Sequence, residues 1–360
     1  MSRMIIPIML LVLFSACHPT DGEGQTTMTV WSPTAISSPV EATQPPLPTS
    51  TTIPPTPTDL PSLDVISSAT TIQIELLDTL EGHRDKVIAL AFSGDGAYIA
   101  SSSMDRTIKL WNARNGQQIY TFVAGEAGMN GVAFSSDGRL LASLRFIWDV
   151  ESKQVVHTLE PTGAGSVAFS PDGSLLAVAR LDHPIRLWDV ESGQVVRTFE
   201  EHNENVFFSV AFSPDGKTLA SGDARDNSVS LWDVSSGRIV QTFEPGSHGD
   251  THDVAFSPDG KLVASCGTDS TVRLWDVVSG QVLYSMSHPE GLMNLAFSPD
   301  GSILASASVD RTVYLWSVAN GRRLYSIHQA DELMTVTFSP DGTLLVSGGY
   351  DDLIYLWGVP

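Results

Sequence analysis

Residues 252–286, HDVAFSPDGKLVASCGTDSTVRLWDVVSGQVLYSM, decide the fold of this chain of 360 residues. Four short segments of the stretch alternate apolar with small or polar residues, which is the pattern of half-buried β-strands. The gaps between these segments read PDG, TDS and SG, which are residues that favour tight turns. The stretch therefore predicts four short strands joined by three turns.

The same unit recurs along most of the chain. Each copy has a D-G pair in its first turn and a tryptophan in its third strand, at Trp111, Trp148, Trp188, Trp232, Trp275, Trp316 and Trp357. A period of about forty residues with four strands per copy is the sequence signature of a β-propeller. We predict an all-β protein, a seven-bladed β-propeller of four-stranded blades over residues 72–360.

Short motifs within the repeats resemble the tryptophan–aspartate (WD) repeat family. LWDV occurs at 187–190, 231–234 and 274–277, IWDV at 147–150 and GH at 82–83. The resemblance implies a ring that is closed by overlap of the two chain ends. The last repeat stops three residues after Trp357, where the other repeats continue into a fourth strand. We therefore expect residues 72–80 to supply the missing strand of the last blade.

The N-terminal residues have the pattern of a signal peptide. An apolar run from Met4 to Phe14 follows Arg3 and is too short to span a bilayer comfortably. The sequence LFSAC that ends at Cys17 resembles a bacterial lipobox, which implies cleavage before Cys17 and attachment of lipid to it. An ordinary secretory signal is the alternative interpretation.

The segment that follows has an unusual composition. Residues 17–71 are rich in Pro, Ser and Thr and contain no Lys or Arg, which predicts a disordered linker. The expected organisation is a signal peptide at 1–16, a lipid-anchored cysteine with its linker at 17–71 and the propeller at 72–360. The expected location is extracytoplasmic, on a bacterial membrane, with secretion as the alternative.

The net charge of −21 disfavours nucleic acid as a partner, because such a chain repels phosphate backbones. With only Cys17 and Cys266, the chain has neither a disulfide framework nor a thiolate metal site. No phosphate-binding loop, zincin motif or nucleophile elbow occurs. We expect no catalytic residues, no cofactor and no bound metal.

An aspartate six residues before most of the tryptophans lies at the predicted turn into the third strand. These residues are Asp105, Asp182, Asp226, Asp269, Asp310 and Asp351. The family resemblance implies that each joins a hydrogen-bonded network with the tryptophan, a strand Ser or Thr and the histidine of a GH pair. By that criterion only the first repeat has the full set, which is His83, Ser101, Asp105 and Trp111. Because the same Asp and Trp recur from repeat to repeat, we interpret the set as structural rather than as a catalytic triad.

The second repeat is shortened. Ala142 and Trp148 are six residues apart, whereas Ala100 and Trp111 in the first repeat are eleven apart. One interpretation is a decayed repeat that its neighbours tolerate. The other is a notch in one face that receives a partner.

The two faces of the predicted ring differ in sequence. The SPDG and SG turns of one face are nearly identical between repeats, whereas the connections between blades and the turns before each third strand vary. Variable loops on a rigid scaffold are where binding residues concentrate. The connections contain thirteen acidic residues, among them Glu201, Glu204 and Asp253, and only two basic residues, Arg84 and Lys86.

We predict a partner-binding patch with an acidic rim on this variable face. Its candidate residues are Lys86, Ile88, Met104, Asn130, Leu181, Phe208, Arg225, His252, Met293, Val309, Met334 and Tyr350. Apolar, Met-containing surfaces of this kind suit an adaptable protein or peptide contact, here with a basic partner. The alternative is that several of these side chains pack inward and that the acids are merely solvated.

The predicted function is a non-catalytic protein-interaction scaffold, monomeric and attached to the membrane through Cys17. The alternative is an enzyme or a small-ligand binder that uses the central channel of the propeller.

Overall fold

The structure is a computed structural model that describes residue 60 and residues 63–66, 74–125, 131–159, 165–180, 183–199, 207–223, 227–246 and 249–360. These residues form twenty-eight β-strands and no helix. In chain order the strands are β1 (Glu75–Leu80), β2 (Val87–Phe92), β3 (Tyr98–Ser103), β4 (Thr107–Asn112), β5 (Gln118–Val123), β6 (Val132–Phe134), β7 (Leu140–Ser143), β8 (Phe146–Asp149), β9 (Val155–Thr158), β10 (Gly165–Phe169), β11 (Leu175–Arg180), β12 (His183–Asp189), β13 (Gln194–Phe199), β14 (Phe207–Phe212), β15 (Thr218–Asp223), β16 (Val229–Asp233), β17 (Arg238–Phe243), β18 (Thr251–Phe256), β19 (Leu262–Gly267), β20 (Thr271–Asp276), β21 (Val282–Ser287), β22 (Leu292–Phe297), β23 (Ile303–Ser308), β24 (Thr312–Ser317), β25 (Arg323–His328), β26 (Leu333–Phe338), β27 (Leu344–Gly349) and β28 (Ile354–Gly358).

The strands form seven antiparallel sheets of four strands each. Strands β2 to β5 form blade one, and each following set of four consecutive strands forms the next blade, up to β22 to β25 in blade six. The first strands of neighbouring blades lie side by side around the ring, and β26 lies beside β2. The predicted seven-bladed β-propeller is therefore confirmed.

Blade seven combines the two ends of the described chain. Its sheet has the order β1-β28-β27-β26, and β1 is antiparallel to β28, with Leu80 opposite Ile354 and Glu75 opposite Gly358. The prediction that an N-terminal strand completes the last blade is confirmed. Closure of this kind covers the edge of β28, which would otherwise expose unpaired backbone groups.

The tryptophans join each blade to the one before it. An apolar residue near the end of each outer strand lies against the tryptophan of the next blade. Phe243 stacks on Trp275 with ring centroids 5.3 Å apart, and Phe199 meets Trp232 edge-on at 5.5 Å. Leu80 of β1 shares a buried cluster with Trp111. The repeat thus places one large aromatic contact between blades, where burial of 150–250 Å² per aromatic side chain contributes most to the core.

The SPDG-type turns form the constant face. In each repeat the serine hydroxyl donates to the aspartate of the same turn, as Ser257 Oγ does to Asp259 Oδ1 at 2.7 Å, and the glycine has a positive φ, as at Gly260. This hydrogen bond and the neighbouring ammonium of Lys261 lower the pKa of Asp259 to about 2. A left-handed backbone explains why glycine occupies the last turn position.

A short stretch before β1, which we call the N-terminal strap (residues 60 and 63–66), lies on the constant face. Its backbone N–H groups donate to carbonyl oxygens of the ring at 2.9 Å, from Leu60 to Arg114, from Asp64 to Val359 and from Ile66 to Gly342. Ile66 is fully buried. Composition predicted a linker over residues 17–71, and these described residues of it pack against blades seven and one.

Blade two keeps four strands although they are short. Strand β6 has three residues and β7, β8 and β9 have four each, against six in most other strands. The β7–β8 turn consists of only Leu144 and Arg145. The shortened repeat is therefore accommodated within the ring.

Candidate functional site

The variable face is assembled by backbone hydrogen bonds between the two kinds of variable loop. Met104 N–H donates to the carbonyl of Lys86 at 3.0 Å, and Tyr350 N–H donates to that of Glu332 at 2.9 Å. The same bond joins Val309 to Gly291 in blade six. The turns before the third strands therefore lie beside the connections between blades, and both kinds of loop form one surface.

Nine of the twelve predicted contact residues lie in the described part of the chain. Asn130, Leu181 and Arg225 lie outside it. Met334 is buried, with 8% of its surface exposed. The other eight are half-buried: Lys86, Ile88, Met104, Phe208, His252, Met293, Val309 and Tyr350.

Several of these residues contact one another across blade boundaries. The Lys86 ammonium lies 3.5 Å from the centroid of the Tyr350 ring, which links blades one and seven. Phe208 meets His252 edge-on at 5.4 Å, which links blades four and five. Burial lowers the pKa of His252, whose Nδ1 lies 2.9 Å from the carbonyl oxygen of Leu292.

Met104, Met293, Val309 and Tyr350 belong to blades six, seven and one, and we call them the apolar arc. Each is half-buried; Met104, Val309 and Tyr350 lie in turns of the variable face, and Met293 is the second residue of β22. Methionine side chains adapt their shape to different partners. The arc therefore places half-buried, largely apolar side chains on consecutive blades.

Asp253 was counted among the acids of the connections that form the predicted rim, but it is enclosed by neighbouring strands. It lies within β18, retains only part of its accessible surface and is surrounded by protein. Ser209 Oγ donates to Asp253 Oδ1 at 2.6 Å, while Asn294 Nδ2 and Leu295 N–H donate to Oδ2 at 2.7 and 2.9 Å. Burial outweighs these hydrogen bonds and raises the pKa of Asp253 to about 6.

This carboxyl group joins the first strands of consecutive blades. Asn294, which donates to Asp253, accepts in turn from Val336 N–H at 2.8 Å. The chain of hydrogen bonds therefore extends from Ser209 in blade four through blades five and six to blade seven. Period-two alternation around Val254 places Asp253 on the opposite side of the strand, so the sequence carried no signal for an enclosed carboxyl group.

The predicted network of the first repeat is present. His83 Nδ1 lies 2.8 Å from Asp105 Oδ2, and His83 Nε2 lies 2.7 Å from Ser101 Oγ, which accepts from Trp111 Nε1 at 2.8 Å. Burial lowers the pKa of His83 despite the nearby carboxylate. Ser101 is fully buried, so its hydroxyl is closed to a substrate and this set holds loops rather than performing nucleophilic chemistry.

The expectation that only the first repeat has the full network was wrong. In blade six His288 Nδ1 lies 3.1 Å from Asp310 and Nε2 lies 2.7 Å from Ser306 Oγ, which accepts from Trp316 Nε1 at 2.8 Å. His288 follows serine rather than glycine, so it is not part of a GH motif. Its separation from the turn aspartate, 22 residues, equals that between His83 and Asp105.

Blade seven has a variant of the same network. Gln329 stands 22 residues before Asp351 and donates to Ser347 Oγ, which also accepts from Trp357 Nε1 at 2.9 Å. Asp351 accepts instead from the Tyr355 hydroxyl at 2.7 Å. An amide thus replaces the imidazole.

Blades four and five have partial networks. Trp232 donates to Ser221 at 2.8 Å and Trp275 to Ser265 at 2.9 Å. Asp269 accepts from Arg273 Nη2 at 2.6 Å. In blade three Val178 replaces the serine, and the buried Nε1 of Trp188 has no partner. Asp182 and Asp226 lie outside the described residues.

Within the described ranges there is no group of three or more His, Cys, Asp or Glu side chains able to hold a metal ion. No helix in that part of the chain could cross a membrane. Cys266 is buried, and burial raises the pKa of its thiol. Cys17 lies outside the described residues.

Comparison with known families agrees with this geometry. Residues 74–112, 193–233, 237–276, 280–317 and 321–358, together more than half of the chain, match the family described as WD domain, G-beta repeat. The chain belongs to this family. The WD-repeat matches correspond to blades one and four to seven with their flanking strands, and residues 143–208 match the anaphase-promoting complex subunit 4 WD40 domain.

Individual WD-repeat relatives are similar over shorter stretches. The small ribosomal subunit protein RACK1y of Oryza sativa is 37% identical over 91 residues, which is 24% of this chain and 27% of that protein. A WD repeat domain-containing protein 83 homolog of Dictyostelium discoideum is 29% identical over 93 residues, 25% and 29% of the two chains. An uncharacterised WD repeat-containing protein of Synechocystis is 43% identical over 63 residues, 17% and 18%. The chain thus matches less than a third of the length of these curated relatives.

Proposed function

We propose that this WD-repeat protein is a non-catalytic platform that binds a protein or peptide partner through its variable face. The observation that carries the proposal is the contrast between the two faces. The constant face is built from hydrogen-bonded turns of one kind, whereas the variable face presents the half-buried side chains of the apolar arc. Membership of the WD-repeat family and similarity to the small ribosomal subunit protein RACK1y support this function.

Capture of binding partners by the full chain tests the proposal. The arc variant combines Met104→Asp and Met293→Asp, which places charge on the apolar arc. The matched control is Val278→Asp, because Val278 is 89% exposed and lies in a turn of the constant face. We expect the wild type and the control to retain the same partner from native membranes and the arc variant to lose it. Retention of one set of proteins by all three chains would refute binding through the arc.

We propose further that the partner surface is basic. The acidic connections, with Glu201 and Glu204 among their residues, support this charge preference. Charge reversal at both positions should slow association with the captured partner, and the effect should shrink as salt is raised. Equal association rates at low salt for the reversed and wild-type chains would contradict a basic partner.

We propose lastly that lipid on Cys17 attaches the protein to a bacterial membrane at an extracytoplasmic location. The LFSAC sequence is the support for this proposal. Labelled fatty acid should be incorporated by the wild type and not by Cys17→Ser, and the variant should leave the membrane fraction. Secretion of both chains without label would favour an ordinary signal peptide.

A further inference from the structure

Arg180, at the end of β11 in blade three, is a buried cation in an unusual position. Only 2% of its surface is exposed. The matching position, eight residues before the tryptophan, is small in four other blades, where it holds Ser103, Gly267, Ser308 and Gly349. A long charged side chain thus replaces a small residue under the variable face.

The guanidinium of Arg180 extends from blade three to blade two. Its Nη2 donates to the backbone carbonyl of Leu144, which lies in the shortened turn between β7 and β8. Ala100 and Trp111 in the first repeat are eleven residues apart, whereas Ala142 and Trp148 in the second repeat are six apart. The corresponding stretch is therefore five residues longer in the first repeat. The side chain therefore reaches the place where the second repeat has lost its residues.

The charge of Arg180 is not compensated within the described chain. Its Nε is buried and has no hydrogen-bond acceptor, and no described carboxylate forms an ion pair with it. Burial and the positive charge of Arg186 lower its pKa to about 10. An arginine remains protonated at neutral pH in that situation, so it cannot relieve burial by losing its proton.

A buried charge is normally paired or fully hydrogen-bonded, because its desolvation is otherwise strongly unfavourable. We propose that Arg180 and the shortened turn of blade two form a binding site for a single carboxylate group. The planar fork of a guanidinium fits a carboxylate through two parallel N–H···O bonds. The group would come from a free small carboxylic acid or from an acidic side chain or chain end of a protein. The site requires no platform function, because carboxylate binding is measurable on the isolated chain.

A purely structural role for Arg180 is the competing explanation. In that case its only task is to satisfy the carbonyl of Leu144 and to fill the space left by the shortened turn. The two roles differ in their response to an added anion and to removal of the charge.

Thermal unfolding of the full chain distinguishes the carboxylate-binding role of Arg180 from the purely structural role. Sodium acetate is compared with sodium chloride at equal ionic strength and pH 7, and a blocked peptide with one aspartate is compared with its asparagine analogue. We expect acetate and the aspartate peptide to raise the midpoint temperature to a plateau, and chloride and the asparagine peptide to leave it unchanged. In parallel, the Nε–H signal of Arg180 in a nuclear magnetic resonance spectrum should move downfield as the carboxylate binds.

Two variants locate the effect. Arg180→Met keeps most of the side-chain volume without charge and should abolish the response to carboxylate without lowering the midpoint in chloride. Arg139→Met is the control, because the side chain of Arg139 is 73% exposed and pairs with Asp149 at the surface, and it should respond like the wild type.

The results distinguish a carboxylate-binding role of Arg180 from a structural one, and a free small acid from a protein carboxylate. A response to acetate alone identifies a free small acid, and a stronger response to the aspartate peptide identifies a protein carboxylate. An unresponsive wild type, an equal response to chloride or a retained response in Arg180→Met would overturn the site. If Arg180→Met fails to fold, titration of the wild type with carboxylate, followed by the Nε–H signal of Arg180, still decides whether the site binds a carboxylate.

Discussion

Asp253 makes the stability of the ring depend on pH in an unusual direction. Its carboxyl group lies within β18, accepts hydrogen bonds from Ser209, Asn294 and Leu295 and has a pKa raised by burial to about 6. In the unfolded chain the pKa returns to the ordinary value of 3.8. The folded protein therefore holds this proton more tightly than the unfolded chain does.

The sign and the magnitude follow from linkage. A folded pKa above the unfolded one gives a contribution to stability that is complete below pH 3.8 and is lost as the pH rises through 6. A tenfold change in a protonation equilibrium corresponds to about 1.4 kcal/mol, so the whole contribution is on the order of 3 kcal/mol. The aspartates of the constant face act in the opposite direction, as at Asp259 with its pKa of about 2.

Asp253→Asn isolates this contribution, because an amide resembles the protonated acid and the Ser209 hydroxyl can turn to accept its N–H. Urea unfolding of the wild type and the variant is measured between pH 4 and pH 7. We expect the free energy of unfolding of the variant, relative to the wild type, to rise across this range by about 2 kcal/mol, because part of the contribution is already lost at pH 4. Asp259→Asn serves as the control and should show little relative change in this range, because the stabilisation by a carboxyl with a pKa of about 2 is lost only below about pH 4. A relative stability of Asp253→Asn that is constant or falls with pH would show that the group is ionised at all these pH values.

Three further predictions concern packing and the tryptophan networks. Leu80→Ala, at the ring closure, should lower the free energy of unfolding by about 2–5 kcal/mol. The control Val123→Ala, at a side chain that is 73% exposed, should change it by less than about 0.5 kcal/mol. Similar losses for the two variants in urea unfolding would contradict the closure. Trp275→Phe should lower the free energy of unfolding by about 1 kcal/mol more than Trp188→Phe, because of these two side chains Trp275 donates a hydrogen bond and Trp188 does not. Equal losses of stability would argue against that bond. His288→Ala should lower stability by about 1–3 kcal/mol and speed hydrogen exchange in the turn before β24, and unchanged exchange there would rule out the second network.

The fold was predictable because each feature that determines it is repeated. Period-two alternation, the D-G turns and the tryptophan of the third strand each occur in seven copies, so an error in one copy leaves the ring unchanged. The absence of a fourth strand after Trp357 also predicted the partner of β28. These are local patterns whose meaning does not depend on distant residues.

The site was less predictable because it depends on contacts between blades. Nothing in the sequence near Asp253 shows that Asn294, 41 residues away, will donate to it. His288 and Gln329 were unpredictable for another reason: neither follows a glycine, whereas both stand 22 residues before the turn aspartate of their blade. The strap was missed because its composition resembles that of the linker, although Ile66 is fully buried.

The ring closure has a mechanical consequence. The N-terminal strap and β1 both bind blade seven, so a pull on the N-terminal chain reaches the seam that holds the ring shut. The strap contact of Leu60 with Arg114 would bear the load first, followed by those of Asp64 with Val359 and of Ile66 with Gly342. Only a larger force would then act on the ladder between β1 and β28. A pull on the N-terminal chain would thus load the strap before the closing strand of the propeller.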